Sequence, residues 1–158
     1  MAHDPEAGYT ASNRQEKNSP MAEVQYALSL KQPWATLLVH GLKSIEVRRW
    51  STPRLGRVLI HAARIPDTRP EAWRHVPLEL REHAEMVQGI IGSAELVGCR
   101  DYRTPEAFAA DAALHLNDAS WFEPPVLYGF HFSQPERLPF RRYLGWMRFF
   151  KVEEEALA

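Results

Sequence analysis

The sequence predicts an α+β domain built round a small, strongly bent sheet or barrel. Three observations carry this. Five stretches rich in β-formers are bounded by Gly, Pro and Ser turn signals. They do not alternate regularly with helices, which argues against a doubly wound parallel sheet. The helical patterns gather in a few places, two of them the long connections 64–88 and 103–120.

The elements follow in order. Residues 1–24 are polar, show no apolar period and read as a flexible tail. The domain proper is expected over residues 26–152, with 153–158 as a C-terminal tail. Pro33 suits the first turn of a helix, where its missing N–H is not needed. Trp34, Leu37, Leu38 and Gly41 fall at helical spacing, and Gly41 is a good residue just past the helix end. Ser44 to Trp50 reads as a strand, 51–56 as a turn-rich loop and Arg57 to Ala63 as a second strand.

Residues 64–88 are charged and helical in pattern, notably Leu78 to Val87. Gly89 to Val97 is a third strand whose glycines suggest a bulge or a close backbone approach. Thr104-Pro105 opens a short helix as N-cap followed by Pro. Val126 to Phe132 is a fourth strand, Pro135 to Tyr143 a loop and Trp146 to Val152 a fifth strand.

The composition is that of a soluble globular domain: 158 residues, 45% apolar and 25% charged, enough for one core and too few for two. A net charge of −1 gives no overall pull toward nucleic acid. The distribution says more. Leu28 to Pro66 holds seven basic residues against one acid, Glu46, and Arg137 to Lys151 holds five basic residues and no acid. If the two segments meet, one face is positive; otherwise they are solvated charges segregated by chance. The single Cys99 excludes an internal disulfide and a cysteine-based zinc site, and reads as a small buried hydrophobe. No histidine pair has the spacing and carboxylate company of a metal site, so neither metal nor cofactor is expected. No run of about 18 apolar residues is present, so no membrane association is expected, and a cytoplasmic location is the default.

Chemistry concentrates at residues 43–50. Alternation sets Glu46 and Arg48 on one face of the strand and Ile45 and Val47 on the other, which Ile and Val mark as core. A carboxylate flanked by Lys43 and Arg48 is a poor general acid. Lys43 has two readings. It is an exposed partner of Glu46, or a buried amine whose lowered pKa suits a base or nucleophile. Trp34 is a core residue or a wall on which a base stacks. His61, a single His in a strand, reads first as a hydrogen-bonded structural residue.

Ser29-Leu30-Lys31-Gln32-Pro33-Trp34, Gly41-x-Lys43-x-x-Glu46-x-Arg48 and the strand Gly56 to Ala62 together resemble the ASCH domain family. The Gly92-x-Ala94-Glu95-Leu96 strand and the Tyr128-Gly129-Phe130 and Gly145-Trp146 segments fit as well. The resemblance covers roughly residues 26–152. It implies a PUA-like fold, a small mixed β-barrel of five to six strands with helices packed at its ends, and a cleft between the first helix and the barrel.

It also implies a module that binds RNA, single-stranded nucleic acid or a nucleotide-like ligand. Lys31, Lys43, Arg48, Arg49, Arg57 and Arg64 would meet phosphates, Trp34 and Trp50 would stack bases, and Glu46 would accept from a base amino group. His61 completes the candidate ligand set. Some relatives of this family are small amidohydrolases that deacetylate N4-acetylcytidine with a Lys, a Thr and a Glu. Lys43 would match the Lys and Glu95 the Glu, but the Thr falls at Glu46, so binding is the expected role rather than catalysis. A third reading is an interaction scaffold, with Lys43, Glu46 and Arg48 closed into an ion-pair network and no pocket beside them. Oligomeric state is left open.

Overall fold

The structure is a computed structural model that describes residues 24–153. Both expected tails lie outside these residues, apart from Val24 and Glu153 at their inner ends. A single mixed sheet of six strands runs in the order β2-β5-β4-β3-β1-β6. These are β1 Gln25–Leu30, β2 Ile45–Arg48, β3 Gly56–Ala62, β4 Gly89–Tyr102, β5 Leu127–Arg142 and β6 Phe149–Val152. β1 and β3 are parallel and every other pair is antiparallel.

The sheet wraps one short helix, α1 (Trp34–Val39), all six of whose residues are buried. Five of the six are apolar, and a helix apolar on nearly every face is enclosed; Trp34, Leu37, Leu38 and Val39 join Leu28, Ile60, Ile91, Phe130 and Phe132 in the largest core cluster. Gln32, fully buried, ties the helix start down. Its Oε1 accepts from Thr36 N–H at 3.0 Å and its Nε2 donates to the Met86 carbonyl at 2.9 Å. Gly41 has φ +76°, the left-handed conformation expected of a residue that ends a helix.

The remaining helices are short: α2 Pro70–Trp73, α3 Arg81–Ala84, α4 Pro105–Ala110 and α5 Ala112–His115. The helix expected over Leu78–Val87 is therefore one 3₁₀ turn, Leu78–Leu80, running into α3. At α4, Thr104 Oγ1 accepts from Ala107 N–H at 3.1 Å, as an N-cap should.

Three strand expectations need correction. Residues 25–30, absent from the expected strands, form β1, which pairs with both β3 and β6. β5 runs through the expected loop Pro135–Tyr143. Its two prolines sit where the ladder to β4 is out of step, because Glu136 and Ser133 face Ser93 and Glu95, and Arg141 and Arg137 face Ile90 and Gly92. A proline that lacks an N–H is tolerated in such bulges. β6 begins only at Phe149, which leaves Trp146 outside the sheet. The close approach expected at the third strand is present. A Cβ on Gly92 would lie 2.5 Å from the Glu136 carbonyl oxygen and 2.6 Å from a Val39 methyl. Cys99 is free and partly buried against the main core.

Candidate ligand cleft

The turn between α1 and β2 carries the central lysine inward. Leu42 and Lys43 N–H groups both donate to the Leu37 carbonyl, and Ser44 N–H donates to Leu114 at 3.0 Å. The backbone is thus pinned to α1 on one side and α5 on the other. Lys43 ends only 1% exposed. Its Nζ donates to the His115 carbonyl at 2.6 Å, lies 3.5 Å from Glu46 Oε1 and sits 4.7 Å from the centre of the Trp34 ring. Burial pushes the Lys43 ammonium down to about 8, although the Glu46 carboxylate works to hold the charged form. The exposed-partner reading of Lys43 is overturned.

Glu46 is shared. Its second oxygen, Oε2, accepts from Arg48 Nη2 at 2.9 Å and Nε at 3.2 Å, and Arg48 Nη2 also donates to the Ser29 carbonyl at 2.7 Å. Lys43, Glu46 and Arg48 therefore do form a network, as the scaffold reading expects. A cleft of about 380 Å³ opens directly beside it, which counts against that reading. Ser29, Lys31, Trp34, Glu46, Arg48, Asp67, Arg69 and Asn117 provide its polar lining.

The far wall is a second carboxylate–guanidinium pair. Asp67 accepts from Arg69 Nη2 at 2.7 Å, from Arg69 N–H at 2.9 Å and from the Trp34 indole N–H at 2.9 Å. Burial works to raise the Asp67 pKa, but these donors outweigh it and bring the carboxyl down to about 2. Arg69 also lies over Trp121, its guanidinium carbon 3.6 Å from the ring centre. Asn117 is placed by His115, whose Nδ1 accepts the Asn117 N–H at 2.9 Å. Ser29, Asp67, Arg69 and Asn117 escaped the sequence reading. The spacing Asp67-x-Arg69 in a charged stretch gave no pattern that separated a wall from a solvated loop.

Of the expected site residues, Lys31, Trp34, Glu46 and Arg48 meet at the cleft, with Lys43 beneath it. Trp34 is 7% exposed, with Trp121 packed edge-on against it, so it offers an edge rather than a free face. Arg49 pairs with Glu123 at 2.7 Å on the surface. Trp50 packs edge-on against Phe130 and Phe149. Arg57 lies between Glu95, at 3.7 Å, and Glu136, at 3.2 Å. The carboxylate beside Lys43 is Glu46 and not Glu95, because β3 sets Glu95 opposite Arg57. His61 lies outside the cleft, in the lining of a neighbouring groove, and is hydrogen-bonded on both ring nitrogens. It is buried, Nε2 lies 2.7 Å from the Tyr143 carbonyl, and Nδ1 lies 2.9 Å from Ser29 Oγ. Among the described residues no group of three or more side chains is placed to hold a metal ion. No helix among them is long and apolar enough to cross a membrane.

A profile described as the ASCH domain matches residues 28–147. The chain resembles a crystal structure of ASCH from Zymomonas mobilis at a TM-score of 0.60 and 17% identity, over 84% of this chain and 90% of that one. A mutant of the same protein matches at 0.59 and 17%, over 84% and 93%. Identity this low speaks for the fold alone. Activating signal cointegrator 1 of Mus musculus and of Homo sapiens is 54% identical over 37 residues, which is 23% of this chain. The matched stretch spans 6% of the length of those proteins.

Proposed function

The chain belongs to the ASCH domain family and has its PUA-like fold, and from that premise we infer that it is a binding module for single-stranded nucleic acid or a nucleotide-like ligand. The observation that carries this is the cleft itself. Lys31, Arg48 and Arg69 surround it as cations, while Glu46 and Asp67 face it as acceptors. Including Lys43 below, four positive charges stand against two negative ones. An anionic group is attracted, and a base amino group finds carboxylate oxygens already held in place. The volume falls within the ~300–1,000 Å³ range of small-molecule sites.

The test is filter binding of short RNA and single-stranded DNA at about 50 mM and about 200 mM salt. If the three cleft cations each meet a phosphate, affinity falls up to about 20-fold between the two, through counterion release. Arg48→Ala with Arg69→Ala weakens binding at low salt, with melting curves to check the fold. No binding by the natural protein, or binding unchanged in the double variant, ends the reading.

A second reading, hydrolysis of an N4-acetylcytidine-type nucleoside, is favoured by one observation. Lys43, held down to about 8, releases its proton more readily than a solvated lysine. Against it, Glu46 occupies the hydroxyl position and Glu95 stands with Arg57. Absence of cytidine release from N4-acetylcytidine closes it for that substrate.

A further inference from the structure

The cleft does not end at Lys31. A groove of about 410 Å³ adjoins it and shares Ser29, Lys31 and Ala63 with it. This groove runs between Arg64 and Ile65 on one side and Gly145, Trp146 and Met147 on the other. Trp146 then forms a wall of a third depression, of about 740 Å³, beside Arg142 and Lys151. Among the described residues, neither the groove nor the depression has an acidic residue in its lining. Neither Lys31 nor Arg64 makes an ion pair with a described residue.

Trp146 is 77% exposed and Met147 80%. A large apolar pair on a surface calls for an occupant. The loop that carries them is anchored at its base. His61 Nε2 meets the Tyr143 carbonyl at 2.7 Å, and a Cβ on Gly145 would lie 2.6 Å from the His61 ring. The indole thus stands out from a loop anchored at Tyr143 and Gly145, with cations before and after it. Cation, aromatic face and cation in succession match the phosphates and bases of a single strand.

Resting on the binding reading above, we propose that the cleft is the first subsite of a track for single-stranded nucleic acid. Trp146 stacks the second base, Lys31 and Arg64 hold the phosphate between the first and second nucleotides, and Arg142 and Lys151 hold the phosphate beyond.

Competition against a fluorescein-labelled single-stranded hexauridylate tests this, with uridine monophosphate, triuridylate and hexaglutamate as competitors. Triuridylate is expected to compete at least about tenfold better than the monophosphate. Trp146→Ala removes about tenfold from triuridylate and leaves the monophosphate within about twofold, as one stacked base requires. Exposure of this side chain means that the variant keeps its fold, which a melting curve verifies. Lys31→Ala with Arg64→Ala lowers the steepness of the salt dependence by about 0.7, the share of the one phosphate that the pair neutralises.

Equal affinity for mono- and trinucleotide, or an effect of Trp146→Ala on neither, overturns the track. If Arg48→Ala still weakens both ligands, the cleft reading stands without it. Hexaglutamate competing as well as triuridylate overturns the track in favour of an acidic peptide. A perfect duplex binding as tightly as the single strand also overturns it, since stacked bases cannot reach Trp146. Failure of every nucleotide to bind at low salt removes both readings.

Discussion

Replacing Lys43 with Met tests whether the lysine under the cleft is as deeply enclosed as its contacts indicate. An unfolded lysine ionises near 10.5, whereas the folded one is held to about 8. Between those values the unfolded chain still binds a proton that the folded chain has released, so folding becomes more favourable as pH rises. Below about pH 8 both states hold the proton, and the cost of burying the ammonium is constant. At about 1.4 kcal/mol per pH unit, the interval corresponds to ~3 kcal/mol, released between about pH 8 and pH 10.5. Urea unfolding of the natural protein and Lys43→Met at about pH 7 and about pH 10.5 reads it out. The other titrating groups are common to both proteins and cancel in the difference. The natural protein is expected to gain ~3 kcal/mol on the variant across that span. Parallel stabilities would refute the reasoning, because they would mean that the ammonium is solvated and the network beside the cleft is an ordinary surface pair.

Three further outcomes follow from the same geometry. Asp67→Asn loses charge-assisted hydrogen bonds to Arg69 and Trp34 and costs ~1–3 kcal/mol at neutral pH. The folded Asp67 carboxyl ionises at about 2, below its unfolded value. The natural protein's advantage over Asp67→Asn is therefore present above about pH 4 and disappears as pH falls toward about 2, which acid titrations of both proteins would reveal. Gly92→Ala drives a methyl into Val39 and the Glu136 carbonyl and is expected to destabilise by ~1–3 kcal/mol, seen as a lower Tm. Arg57→Ala removes a cation that lines neither the cleft, the groove nor the depression and is paired with Glu95 and Glu136 on the surface, so affinity for short RNA should stay within about twofold.

The parts of the fold that were legible in the sequence are those where a single periodicity rules. Trp34, Leu37 and Leu38 announce α1, and the run Val58 to Ala62 announces β3. Where two signals conflict, the sequence misleads. Pro135 and Pro139 read as loop, yet bulges absorb them into β5. The cations and carboxylate at 43, 46 and 48 were visible as a cluster because one turn and one short strand bring them together. The depth of Lys43 was not. It depends on Leu37 and Leu114 carbonyls from distant segments pinning the turn inward. The Asp67–Arg69 wall was equally hidden, since its place depends on the Gln32 carbonyl accepting the Asp67 N–H at 2.8 Å. Trp146 looked like the start of a strand and emerged as an exposed side chain on an anchored loop.

The most direct measurement of ligand binding in the cleft is a titration of ¹⁵N-labelled protein with triuridylate at low salt, followed at the indole and backbone N–H signals. The Trp34 indole, which donates to Asp67, and the Asn117 amide should move together and saturate at one ligand concentration, with the Trp146 indole following them. The Trp50 indole, packed on Phe130 and Phe149, should stay in place. Shifts confined to the Arg49–Glu123 edge, or a Trp34 signal unmoved at saturation, would contradict binding in the cleft.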